Sequence, residues 1–415
     1  MNFFVLLKVI KNKNYLLRDT LFYAIVRGVA LLFSFVISIL ISRNTSPDIF
    51  NSFAFIERLI SIGVVLFIFG GRQTILVTKK NIMHFDFNIL IQNRLLIFII
   101  IVCPLLIYTL YLNEFTDIIL YIIVIGSIFF SGCVKIINTI TLKKFKLHIF
   151  SFFENNLIPN IIFLLLFFLL PKELNYLFIY LIIGKILVLV YLFIKFKDFS
   201  FFSNKLIKTS LTKQWKELIS SSHFFYNGVF SMIYKSLPIL LLYKTLPTDS
   251  YNAFVIILKI SLITSVSLDL LNNYVSKNIS NLLEKNDIHK IKNIYISSSK
   301  VGFFLGITTF VLLFFFGHQL IDLWGTKYEN AYYLLLILFF GDLIDLSFAS
   351  TGVILNLCGK KKILNKLYLY LIPITSGLIV ISSINFGLMG VVISLSVIKV
   401  SFNLVKYMHM KFFLV

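Results

Sequence analysis

The chain has 415 residues, of which 59% are hydrophobic, and its Lys and Arg exceed its Asp and Glu by a formal net charge of +21. A soluble domain is close to half apolar, so this excess argues against a water-soluble fold. The basic residues fall in loops between apolar runs rather than along one continuous polar face, which argues against a nucleic-acid surface.

Met1 to Ile10 is apolar but too short to span a bilayer. No small-residue cleavage site follows it, so no cleaved leader is expected. Beyond it, stretches such as Ile161 to Leu170 and Phe303 to Phe316 hold almost no polar residue. A helix needs about 20 mostly apolar residues to cross roughly 30 Å of hydrocarbon. Such stretches predict spans at 21–42, 53–77, 89–112, 117–141, 150–170, 174–195, 219–242, 251–276, 301–321, 331–357, 363–384 and 387–408. Barrel strands would instead alternate apolar and polar residues.

Lys and Arg concentrate in alternate loops. One face takes Lys8 to Arg18, Arg72 to Arg94, Lys143 to Lys146, the 195–217 and 277–300 loops, Lys360 to Lys366 and the tail. The other face takes only Arg43, Lys172, Lys244 and Lys327. The positive-inside rule puts the basic-rich face and both termini in the cytoplasm, which requires an even number of spans. Cys103, Cys133 and Cys358 lie in or beside apolar runs, with no disulfide or metal-ligand spacing, and read as small buried hydrophobes.

The chain repeats itself. Phe50-Asn51-Ser52-Phe53-Ala54-Phe55-Ile56 with Arg58 parallels Tyr251-Asn252-Ala253-Phe254-Val255-Ile256-Ile257 with Lys259, an offset of 251 − 50 = 201. The same offset pairs Arg43 with Lys244 and Asp48 with Asp249. Six spans per half is an even number, so the repeat is parallel, about an axis along the membrane normal. The expected fold class is an all-α integral membrane protein of about twelve helices in two six-helix bundles. Residues 1–196 form the first bundle, 197–217 a basic cytoplasmic linker and 218–415 the second bundle.

Ionisable residues inside spans are costly and mark function by default. The basic ones are Arg27, Arg58, Lys135, Lys185, Lys235, Lys259 and Lys399; the acidic ones are Glu57, Glu154, Asp269, Asp342 and Asp345. Arg27 either snorkels to headgroups or faces the interior, and Glu57 and Arg58 fall near the periplasmic end. Asp342 and Asp345, three apart, share a helix face. They read either as a packing pair, bonded to Lys185 or Lys399, or as a proton-coupling site in which one carboxyl stays protonated. Asp269 is a second coupling candidate.

Four stretches carry a resemblance: Arg27-Gly28 through Ser42-Arg43 to Pro47-Asp48-Ile49-Phe50; Phe69-Gly70-Gly71-Arg72; Leu323-Trp324-Gly325-Thr326-Lys327-Tyr328-Glu329-Asn330-Ala331 and on to Gly359-Lys360; and Asn385-Phe386-Gly387-Leu388-Met389-Gly390-Val391. In their order and spacing the chain resembles the Wzx-type O-antigen flippases of the multidrug/oligosaccharidyl-lipid/polysaccharide (MOP) exporter superfamily. The resemblance implies two six-helix bundles in a V, opening alternately to either side. It implies a cavity bordered by the first, second, seventh and eighth helices, where Arg27, Arg58, Lys235 and Lys259 would hold an undecaprenyl-diphosphate-linked oligosaccharide. It also implies a bacterial inner membrane, with membrane lipids and polysaccharide-assembly proteins as further partners, no cofactor and no nucleic acid. The rivals are a multidrug exporter of the same superfamily, for which an acidic cavity would be expected, and a polysaccharide polymerase or glycosyltransferase. The short outward loops give the latter no room for a catalytic domain.

The topology is testable. Reporter fusions at 113–116 and 322–330 should report periplasm, and fusions at 205–213 and 285–292 cytoplasm. A cytoplasmic signal at 322–330 would break the twelve-span scheme.

Overall fold

The computed structural model describes residues 15–71, 87–144, 156–195, 211–283, 288–358 and 360–414. Arg72, Glu154, Gly359 and the 197–210 part of the expected linker lie outside them. In the first half, α1 is Tyr15–Asn44 and α2 is Pro47–Ile68. Helix α3 is built from Phe87–Ile97, a π-helical turn at Phe98–Val102, and Cys103–Leu112. Then follow α4 (Ile118–Lys144), α5 (Leu157–Leu169) and α6 (Leu174–Lys195). In the second half, α7 is Leu211–Thr245, α8 Thr248–Leu283 and α9 Ile288–Asp322. Helix α10 is Ala331–Ser347, continued by Thr351–Leu357. The stretch Lys361–Leu414 is helical throughout except at Gly387 (φ 57°, ψ −147°), which divides it into α11 (361–386) and α12 (388–414).

Each predicted span overlaps a helix, because a chain in lipid must satisfy its backbone hydrogen bonds within the segment; the second, expected at 53–77, instead runs Pro47–Ile68 and ends at the turn of Phe69, and 72–77 and 150–155 lie outside the described residues. Local chemistry sets several ends and breaks. Ser46 caps α2, its Oγ accepting from Ile49 N at 3.3 Å, and Pro47 takes the first turn, where no N–H is needed. The π-helical turn of α3 sits just before Pro104, which cannot donate to the helical ladder. Among the described residues nine helices are long and apolar enough to cross a membrane; one of them, Lys362–Lys411, contains the last two predicted spans. Helix α7 is not among the nine, because Lys, Ser and Asn interrupt its apolar sequence. It starts at Leu211, inside the stretch that charge alone assigns to the linker, because Leu211, Trp215 and Leu218 continue the helical period of the span behind them.

Within the first half α6 packs on α4 and α5; within the second, α9 on α10, α10 on α12 and α7 on the α11–α12 hairpin. The halves meet where α2 packs on α7 and α8, α1 on α8, and α3 on α7. One hydrophobic cluster runs through both halves, from Phe50, Phe53 and Phe67 to Phe254, Leu335 and Phe339. The outer faces are apolar too: Ile99, Phe315 and Ile384 are exposed, as helices bathed in lipid require. With no hydrophobic drive between helices in lipid, close approach depends on small residues. One such contact is α9 on α10, where a Cβ at Gly302 would lie 2.1 Å from the Leu346 carbonyl oxygen.

Gly302→Leu should force α9 off α10 and lower stability by about 2–4 kcal/mol. The readout is the melting temperature of the purified protein. A melt unchanged from wild type would mean that this contact does not hold the second half together.

Candidate functional site

The two halves are clamped at their basic-poor face. At the end of α1, Arg43 donates through Nε to the Leu323 carbonyl and through Nη2 to the Asp322 carbonyl, both at 2.7 Å. These carbonyls lie at the C-terminus of α9, where helical carbonyls lack partners and the helix dipole is negative. At the end of α7, Lys244 does the same in reverse. It donates to the Leu112 carbonyl at the C-terminus of α3 and reaches Glu114 at 3.5 Å. Arg43 and Lys244 are repeat equivalents, so each half sends one cation to cap the third helix of the other. Beside them, Trp324 Nε1 donates to Ser38 Oγ at 3.0 Å, and Ser42 Oγ donates to the Trp324 carbonyl at 3.1 Å. At the pseudo-axis, Asn252 Nδ2 donates to the Pro47 carbonyl at 2.9 Å and Thr248 Oγ1 to Asp48 at 3.2 Å.

Deeper in the seam, α2 and α8 carry the intramembrane charges. Glu57 lies ten residues into α2, about 15 Å from its start and near the middle of that helix. It meets Lys259 Nζ at 3.3 Å across the halves; Lys259 is only 6% exposed, Glu57 39%. The partner of Lys259 is thus the carboxylate beside its repeat equivalent Arg58, which is itself half-buried. Further towards the basic-rich face, Arg27 on α1 forms an ion pair with Asp269 on α8, both about a third exposed. So Arg27, Arg58, Lys259 and Asp269 gather along the seam. Lys235 is exposed on α7, close enough to Lys406 of α12 to feel its charge.

Asp342 and Asp345 lie within the second half, apart from the seam ion pairs. Asp342, buried on α10, accepts from Lys399 of α12 and from the Ser261 hydroxyl of α8. Asp345, one turn on, is in electrostatic reach of Lys406, Tyr234 and Tyr368. The two carboxylates therefore face different cations. Asp342 accepts from Lys399 on Oδ1 and from Ser261 on Oδ2, whereas Asp345 has no cation within bonding distance among the described contacts.

Sequence reasoning missed several of these partners. Ser261 carries no signal beyond being a hydroxyl in an apolar run. Arg94 reads as a loop charge, yet it is fully buried and binds Glu217 of α7 at 2.6 Å and Ser221 at 3.0 Å. Its guanidinium lies over the Phe69 ring, and Phe69 stacks on Phe225 at 4.0 Å. Phe69 and Gly70 turn the chain with positive φ, and a Cβ on Gly71 would come within 3.1 Å of Arg94. The Phe69-Gly70-Gly71 stretch is thus the wall of an arginine socket joining α2 and α3 to α7. The equal spacing of Arg43 and Lys244 was visible in the repeat, but its capping role was not.

No family model matches this chain, and no curated protein matches its sequence. Its fold is that of the MATE transporters. An inward-facing multidrug resistance MATE family transporter of the MOP superfamily aligns with a TM-score of 0.69 at 12% identity, over 94% of this chain and 98% of that one. An outward-facing structure of such a transporter aligns at 0.64 and 13% identity, over 95% of each chain. A MOP superfamily transporter from Pyrococcus furiosus, described by a binding pocket of reverse polarity that suggests a different function, aligns at 0.63 and 12% identity, over 96% of this chain and 94% of that one.

The Glu57–Lys259 pair yields a stability test. Glu57→Gln leaves a buried ammonium without its carboxylate and should cost about 2 kcal/mol, discounted from the value for a fully buried pair because Glu57 is partly wet. Glu57→Leu combined with Lys259→Leu should recover most of that loss. Equal melting temperatures for the single and double variants would show that the pair does not hold the seam.

Proposed function

We propose that this multi-pass membrane protein is a transporter, not an enzyme, that moves a diphosphate-linked oligosaccharide lipid across a bacterial inner membrane by alternating access. The supporting observation is the charge of the seam. Arg27, Arg58 and Lys259 stand along it on α1, α2 and α8, where among the described residues Glu57 and Asp269 oppose them, and Lys235 stands apart on α7. Arg27 pairs with Asp269 and Lys259 with Glu57 across the seam. A diphosphate carries more charge and more acceptor oxygens than a carboxylate, and in a site of low dielectric it competes well for both cations. Cargo binding then exchanges the ion pairs that join the halves for contacts to the cargo. Arg58, next to the Glu57–Lys259 pair, supplies a fork suited to two phosphate oxygens.

The clamp at the basic-poor face goes with a state open towards the basic-rich face, in keeping with the higher score against the inward-facing neighbour. The multidrug-exporter reading draws on the same fold and is favoured by the multidrug neighbours. It requires a site for organic cations, and an excess of cations in the seam disfavours one. The neighbour described by reverse polarity is an instance of this fold with a different pocket charge.

The test is complementation of a strain lacking its own flippase, with surface polysaccharide as readout, membrane abundance as control and drug susceptibility measured in parallel. Arg58→Ala with Lys259→Ala should cut surface polysaccharide at least tenfold, and Arg58→Lys should be milder than Arg58→Ala. Full activity of the double variant at normal abundance would overturn the proposed cargo site. Drug resistance conferred without polysaccharide would favour the exporter.

A further inference from the structure

We infer that the closed basic-poor face is a latch set near balance, held shut by bonds between the halves and driven open by polar atoms that closure buries without partners. The inference rests on the transporter reading but not on the identity of the cargo. The closing bonds are those of Arg43 to the end of α9, Lys244 to the end of α3 and Asn252 to the Pro47 carbonyl. Tyr243 of α7 adds to them: its ring stacks on Phe55 of α2 at 4.3 Å, and its hydroxyl lies 3.4 Å from Ser52 Oγ. Against these stand three atoms where α2 and α8 begin. Asn51 Oδ1, the Tyr251 hydroxyl and Asn252 Oδ1 are enclosed and have no hydrogen-bond partner among the described residues. Asn51 is 8% exposed, and Tyr251 and Asn252 are fully buried. A polar atom taken out of water with no replacement bond is costly, and separation of the halves at this face would return it to water.

The internal repeat separates packing from polarity at this joint. The equivalent of Tyr251 in the first half is Phe50, which is just as buried. The packing of that position is therefore met by a ring without a hydroxyl. The Tyr251 ring lies edge-on to Tyr243, with centroids 5.8 Å apart, so its hydroxyl sits beside the residue that joins α7 to α2. Asn51 and Asn252 are repeat equivalents, and Asn252 uses its amide nitrogen to close the face while its oxygen stays unpaired. Closing bonds and unpaired atoms thus act in opposite senses on one equilibrium. Removing a closing bond shifts it towards the open state, and removing an unpaired polar atom shifts it towards the closed state. A rigid contact that never opens would respond to neither.

The test measures the width of this face in the purified full chain in nanodiscs. Spin labels carried on p-acetylphenylalanine at Thr116 and Thr326, both exposed and on opposite halves, leave the three cysteines in place. Double electron–electron resonance between them gives the fraction of molecules open at this face. Arg43→Gln should raise that fraction about fivefold or more. In the Arg43→Gln background, Tyr251→Phe and Asn51→Leu should each lower the open fraction by about fivefold, the size expected for one polar atom no longer buried unpaired. A fall in either variant supports the latch, so if one fails to fold the other decides. Tyr251→Phe, which removes one oxygen at a position where the repeat already carries Phe, is the safer of the two. An open fraction unchanged or raised in both variants would overturn the inference, as would Arg43→Gln leaving it at the wild-type level. If Arg43→Gln and wild type alike show one closed distance and the protein still transports, alternating access at this face fails together with the latch. If instead the face opens as expected but surface polysaccharide does not depend on the protein, the cargo reading fails and the latch stands.

Discussion

A helix that ends at a membrane face leaves its last carbonyls without donors, and this chain solves that problem between its halves. Arg43 closes the end of α9 and Lys244 closes the end of α3. Each cap gains from hydrogen bonding and from the negative end of the helix dipole together. Because each cap reaches into the opposite half, the helix ends of one bundle are completed only when the other is in place. The Trp324 contacts to Ser38 and Ser42, and the Asn252 contact to the Pro47 backbone, extend the same closure. Helices α1, α2, α7 and α8 are thereby brought together, and the seam charges with them.

The seam then follows a rule of its own. A cation on a membrane helix needs an anion, and two of the seam cations find theirs on the opposite half. These pairs join the two halves along the seam, below the clamp at the basic-poor face. The contrast with Asp342 is instructive. Its partners Lys399 and Ser261 belong to the same half as itself, and it is buried. That carboxylate ties α8, α10 and α12 into one unit, whereas Glu57 and Asp269 tie one unit to another.

The Arg94 socket completes the mechanical description. Its guanidinium is held by Glu217 and Ser221 of α7, roofed by Phe69 and admitted by Gly71. It fastens the start of α7 to the first half. Pro238 lies further along the same helix, where the i→i−4 ladder lacks a donor. The helix is thus anchored to the first half at its start and packed on α11 and α12 of the second.

The sequence by itself determined the number, order and approximate limits of the helices, because a lipid environment converts hydropathy directly into span positions. It also determined the repeat, since the 201-residue offset keeps Arg43 with Lys244 and Arg58 with Lys259. The tertiary structure alone decided which charges pair. Lys259 chose Glu57, and Arg27 chose Asp269, more than 200 residues away in each case. Pairing depends on the rotation of each helix about its axis and on its depth, and small residues such as Gly302 set these through contacts between helices. Composition carries no record of that rotation. The same reason explains Arg94, whose neighbours in sequence resemble a loop edge but whose neighbours in space are Glu217, Ser221 and Phe69.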